Sequence, residues 1–153
     1  MRVFLLLMGL CCSQMTLAEI NEEAGMAFAQ QYFTAWQATQ APDADESDID
    51  AYLNLLTDDV GYQHLPYVTS GLRTADGKAE LQKGLLYYLG STSSYTANLE
   101  KVMVGHNVIV IQYHTTVTGI HPDSQQATAL TYRTVDVLEL DEGKVSVIRH
   151  YSE

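Results

Sequence analysis

Cysteine is nearly absent: the 153 residues hold two, both among the first twelve. Everything after Cys12 therefore lacks a thiolate nucleophile, a thiolate metal ligand and a disulfide staple, and must be held by packing. Basic residues are also few, 8 Lys and Arg against 19 Asp and Glu, for a formal net charge of −11. Such a surface repels phosphate backbones and anionic lipid, which argues against nucleic acid as a partner. The chain has no Gly-x-Ser-x-Gly elbow, no phosphate-cradling Gly-rich loop and no dinucleotide fingerprint. Its five histidines, at 64, 106, 114, 121 and 150, form no HxH or HExxH pattern. His106 and His114 would stand roughly 27 Å apart at strand rise, too far to share a metal within one strand. Neither a metal nor a cofactor is expected.

Long apolar runs are confined to the start of the chain. Met1-Arg2 is a short positive segment, residues 3–12 are almost wholly apolar, and Thr16-Leu17-Ala18 offers small residues for cleavage. Residues 1–18 read as a signal peptide, leaving one domain over 19–153, exported to the periplasm or secreted and free of the membrane once the leader is removed. Cys11 and Cys12 suggest a lipid anchor, but neither follows the small residue that a lipidated cysteine needs.

Spacings of three and four among Ala24, Phe28, Tyr32, Ala35 and Trp36 predict a helix over 19–39. An acidic loop at 40–46 precedes Ser47, a candidate N-cap for a short helix through Leu56. Residues 60–65 predict a strand ended by Pro66. Residues 78–89 predict a third helix, with Leu81, Leu85, Leu86 and Tyr88 on its apolar side and Gly90 ending it. The chain then becomes rich in Val, Ile, Thr and Tyr. Strands are predicted over 95–104, 107–118, 127–140 and 144–151, parted by turns at Gly105-His106-Asn107, His121-Pro122-Asp123 and Asp141-Glu142-Gly143. Helices first and an antiparallel meander after make an α+β fold.

The stretch Tyr62-Gln63-His64-Leu65-Pro66 carries the chemistry. Alternation sends Val60, Tyr62 and His64 to one face, so His64 is either a core histidine or the base of a pocket. An imidazole titrates near neutrality and suits proton transfer. Asp136 interrupts an apolar strand and shares its face with Tyr132, Thr134 and Leu138. It is either pocket-lining or exposed on the far side. Tyr62 could donate to a developing oxyanion. Tyr32 and Trp36, one helical turn apart, form either core or an aromatic wall. Tyr113 and His114 point to opposite faces, so one of them reaches a pocket.

Three stretches together resemble the SnoaL-like, polyketide-cyclase-like branch of the nuclear transport factor 2-like superfamily. These are Tyr62-Gln63-His64-Leu65-Pro66, the Ala75-Asp76-Gly77-Lys78-Ala79-Glu80 opening of the third helix, and the hairpin from Val135 to Val145 followed by Arg149-His150-Tyr151. The family tail commonly carries an acidic residue where this chain has Ser152. The resemblance implies a cone, with a strongly curved, mostly antiparallel sheet packed on three N-terminal helices around a pocket. It also implies that His64 lies where related isomerases place a catalytic carboxylate, which favours His64 as base with Asp136 orienting it. Tyr32, Trp36, His114, Tyr132 and His150 are then candidate ligand-binding residues, for a small apolar molecule. The expected activity is cofactor-independent isomerisation, cyclisation, dehydration or hydrolysis. A non-catalytic binding module and a dimer formed through the sheet are the alternatives that the same fold allows.

Overall fold

A computed structural model of the chain describes residues 21–153; the predicted leader and both cysteines lie outside the described residues. Helix α1, Glu22–Thr39, starts at Asn21, whose side chain accepts the Ala24 amide at 2.8 Å. Helix α2, Glu46–Leu53, is capped by Asp45 rather than Ser47. The Asp45 carboxylate accepts the Ser47 and Asp48 amides, and the Asp48 carboxylate accepts the Asp45 amide at 3.0 Å, which completes a capping box. The helix also stops earlier than predicted. Leu56, fully buried, is the first residue of strand β1, Leu56–His64.

Helix α3, Gly77–Tyr88, begins hard against β1: a Cβ on Gly77 would lie 2.2 Å from the Val60 carbonyl oxygen, so only glycine admits the approach. Leu81, Leu85 and Leu89 pack on the core, whereas Leu86 and Tyr88, expected on the same apolar side, are exposed. Four long strands follow: β2 Thr92–Gly105, β3 Val108–Ile120, β4 Ala127–Asp141 and β5 Lys144–Ser152. The tight β4–β5 turn places Glu142 at φ 51° and Gly143 at φ 78°, the handedness that two-residue hairpin turns require.

The sheet has five strands in the order β1-β5-β4-β3-β2. The predicted antiparallel meander is present, and β1 adds to it parallel to β5. The sheet does not close, and with three helices against it the whole is the expected α+β cone. Alternation then sorts the side chains. Ile109, Ile111, Tyr113, Thr134, Asp136 and Leu138 face inward and are buried, while Val110, Gln112, Val135 and Val137 face out and are half-buried. The inner face meets Ala29, Tyr32 and Phe33 of α1 and Ile49, Tyr52 and Leu53 of α2. No described helix is long and apolar enough to cross a membrane.

Leu138 is fully buried in this cluster. Leu138→Ala is expected to cost about 2–5 kcal/mol of unfolding free energy, read from urea midpoints at unchanged slope. A loss under about 1 kcal/mol would mean that the inner face is not the packed core.

Candidate functional site

Strand register builds the site. Parallel pairing sets His64 beside His150, and antiparallel pairing sets His150 beside Asp136. Three neighbouring strands thus carry Asp136, His150 and His64 in one row on the inner face. Asp136 is only 3% exposed, and its two oxygens are both occupied. Oδ1 lies 2.7 Å from His150 Nδ1, and Oδ2 accepts the Tyr113 hydroxyl at 3.0 Å. The His150 ring meets the His64 ring edge-on, centroids 4.4 Å apart. His64 Nδ1 in turn lies 3.2 Å from the Tyr62 hydroxyl. The row therefore runs Tyr113, Asp136, His150, His64, Tyr62.

Its electrostatics follow from burial around one carboxylate. Burial, reinforced by Asp136, pushes the Tyr113 and Tyr62 phenols well above their ordinary value, and burial lifts Tyr95 to about 12. These phenols stay protonated near neutrality and act as donors. His64 moves the other way: burial first, then the neighbouring His150, lower its pKa against the pull of Asp136. His64 is therefore neutral at pH 7. A carboxylate on Nδ1 holds the proton of His150 there, which leaves Nε2 as the basic nitrogen of the neutral ring.

The row opens on a cleft of about 310 Å³ lined by His64, Leu130, Tyr132, His150 and Ser152. A shallow groove of about 290 Å³ along α3, over Glu80, Lys83, Gly84 and Tyr87, shares no residue with the row. Among the described residues no three His, Cys, Asp or Glu side chains are grouped to hold a metal.

The structure redistributes the expected roles. The residue hydrogen-bonded to Asp136 is His150, not His64, because β5 lies between β4 and β1. Asp136 faces inward rather than outward. The Tyr62 hydroxyl is engaged with His64. Tyr32 is core, its hydroxyl bonded to that of Tyr52 at 2.9 Å. Trp36 packs on Tyr52 with ring centroids 5.5 Å apart. Tyr132 and His150 line the cleft. His114 lies on the outer face, because Tyr113 of the same strand takes the inward position. Sequence reasoning left Tyr113 and His114 as alternatives for the pocket and carried only His114 forward as a candidate. The signal for Tyr113 was its inward alternation with Ile109 and Ile111, but its hydroxyl needed Asp136 across the sheet to have a partner.

The model of the SnoaL-like domain family matches residues 29–148 of the chain. No curated protein matches it. Among solved structures, it is similar to an LEH-like epoxide hydrolase from Mycobacterium tuberculosis, with 16% identity over 84% of this chain and 82% of that one and a TM-score of 0.60. A Shewanella putrefaciens protein described as a SnoaL-like polyketide cyclase gives 14% identity over 84% and 88%, with a TM-score of 0.65. A nuclear transport factor 2-like protein from Anabaena variabilis gives 16% identity over 90% and 96%, also with a TM-score of 0.65. At these identities the likeness shows the fold.

The lowered pKa of His64 makes stability depend on pH. Since the folded value lies below the ordinary 6.5, the unfolded chain binds more protons, so the contribution of His64 is complete above about pH 6.5 and is lost as pH falls through the folded value. Between pH 7 and pH 5 the melting temperature of the wild type is expected to fall further than that of His64→Gln. Parallel curves would show that His64 is not held neutral.

Proposed function

The chain belongs to the SnoaL-like domain family, and from that premise we propose that it is an acid–base enzyme acting on a small organic molecule bound in the cleft of the cone. The observation that carries this reading is the 2.7 Å bond between buried Asp136 and His150 at the wall of that cleft. His150 is the base, through Nε2, and Asp136 is the positioning residue that fixes its tautomer and steadies the imidazolium formed when it takes a proton. His64 takes the complementary role. The Tyr62 phenol, held protonated, donates to His64 Nδ1, which places the hydrogen of the neutral ring on Nε2, a donor for a developing oxyanion. The two imidazoles are thus set apart by their partners, a carboxylate for one and a phenol for the other. The base expected at His64 from the sequence moves one strand over. Neighbours of this fold described as an epoxide hydrolase and a polyketide cyclase support a small organic substrate.

The outer sheet face supports a second element of the reading, a dimer. Val110 and Val137 pair across β3 and β4, with Val135 half-buried beside them and Met103 62% exposed on β2. This apolar strip suits a second copy of the chain.

Proton transfer is testable without the natural substrate, by following deuterium exchange at the α-carbons of 2-tetralone in D2O by NMR. The wild type is expected to accelerate exchange over buffer, and His150→Gln to lose about 10²- to 10⁴-fold of that acceleration. Equal rates for wild type and His150→Gln, with 2-tetralone bound by both, would overturn catalysis and leave a binding module. For the dimer, Val135→Arg is expected to convert a dimeric sedimentation profile to a monomeric one. A monomeric wild type at tens of micromolar would remove that contact.

A further inference from the structure

Resting on the reading that His150 is the base of the cleft, we propose that Tyr113 is a further positioning residue of the site. Its hydroxyl holds Asp136 Oδ2 and leaves Oδ1 to face His150. It thereby sets both the aim of the imidazole and the strength with which the carboxylate holds the imidazolium.

Among the described residues, Tyr113 is the phenol whose hydroxyl reaches Asp136, at 3.0 Å from Oδ2, while His150 Nδ1 lies 2.7 Å from Oδ1. The other phenols around the carboxylate are turned elsewhere. Tyr32 of α1 and Tyr52 of α2 bond to each other, Tyr62 of β1 bonds to His64, and Tyr95 of β2 and Tyr132 of β4 bond to Thr115. Arg149, beside His150 on β5, is turned to Glu139. Tyr113 and Asp136 are 1% and 3% exposed, so bulk water does not compete for Oδ2.

One effect of that bond is on orientation. A carboxylate turns readily about its last torsion, whose wells are broad. Tyr113 is itself fixed: its ring packs on Phe33 with centroids 5.2 Å apart, and its backbone pairs with Thr134 of β4. A donor fixed on Oδ2 stops the carboxylate from turning, which keeps Oδ1 on His150 Nδ1. The other effect is on charge. A hydrogen bond to an ionised carboxylate disperses its negative charge and weakens its hold on a neighbouring cation. Burial and the charge of Asp136 keep the Tyr113 phenol protonated, so it donates near neutrality. Tyr113 therefore lets His150 release the proton that it has taken.

The test uses the full chain, the deuterium exchange of 2-tetralone, and two variants of opposite effect. Tyr113→Phe removes the donor and keeps the ring, so the pair of Asp136 and His150 holds an added proton more tightly. The acid limb of the exchange rate is expected to move up by about half a unit to one unit of pH, and the maximal rate to fall about tenfold. Tyr113 lies outside the cleft lining, so the half-saturating concentration should change less than about twofold. The Nδ1 proton of ¹⁵N-labelled His150 should move downfield as its acceptor strengthens. A tyrosine fluorinated beside its hydroxyl, placed at 113, is a stronger donor and should move the limb and the resonance the other way. His64 titrates in the same range, but its Nδ1 faces Tyr62, so the His150 resonance separates the two. A role in packing alone would move neither readout, or would move both variants in one direction, and either result overturns the proposal. If the wild type accelerates exchange and the variants match it in limb and resonance, Tyr113 loses its role while the base reading stands. If the wild type does not accelerate exchange, the base reading falls and the proposal with it.

Discussion

One buried carboxylate constrains the rest of the molecule. Taking Asp136 out of water costs several kcal/mol, and the cost is offset only by donors held in good geometry. The hydrogen-bonded donors are an imidazole and a phenol, on strands to either side of β4. Both reach the carboxylate only in the observed register, since a one-residue slip would turn His150 or Tyr113 to the outer face. The need to satisfy Asp136 and the need to bury the inward aliphatic residues thus specify the same alignment of β3, β4 and β5. The site is consequently not an addition to a finished scaffold. The row of Tyr113, Asp136 and His150 is part of what fixes the sheet.

The same reasoning explains where the strong electrostatics lie. Described ion pairs with lysine or arginine sit on exposed or half-exposed groups, such as Arg73 between Asp59 and Asp141, where solvent screens them and each contributes little. Among the described residues the interior holds a single carboxylate, surrounded by phenols that burial keeps protonated. The large net negative charge is therefore a property of the surface. The cleft wall is made of hydroxyls, imidazoles and one leucine, with no lysine or arginine among its lining residues.

Much of this was legible in the sequence, and the gaps have physical causes. Periodicity located all three helices and the four strands of the meander, because each is long enough to show its period. The short α2 was misjudged at both ends. An Asp and a Ser two positions apart are equally good caps by type, and only the reciprocal bond from Asp48 decides between them. Leu86 and Tyr88 were misplaced on α3 because a helix against the rim of an open sheet buries a narrower stripe than its composition suggests. The larger gap concerns the site. Asp136 and His64 were recognisable as types, but their separation by β5 depends on a parallel pairing between the ends of the domain, and no local pattern records that. His150 was visible only as a residue of the family-like tail, with nothing in the sequence to show that it would lie between the other two.

That parallel pairing bears on how the chain comes to be complete. β5 follows every other described strand in sequence, yet it lies inside the sheet, with β1 on one side and β4 on the other. A chain folded only as far as Gly143 would expose the edges of both β1 and β4, and open edges of this kind recruit other chains. The nine residues from Lys144 to Ser152 close both edges at once, and in doing so they deliver His150 to Asp136 and His64. Completion of the sheet and assembly of the Asp136, His150 and His64 row are therefore a single event, since the strand that closes both edges is the one that carries the central imidazole.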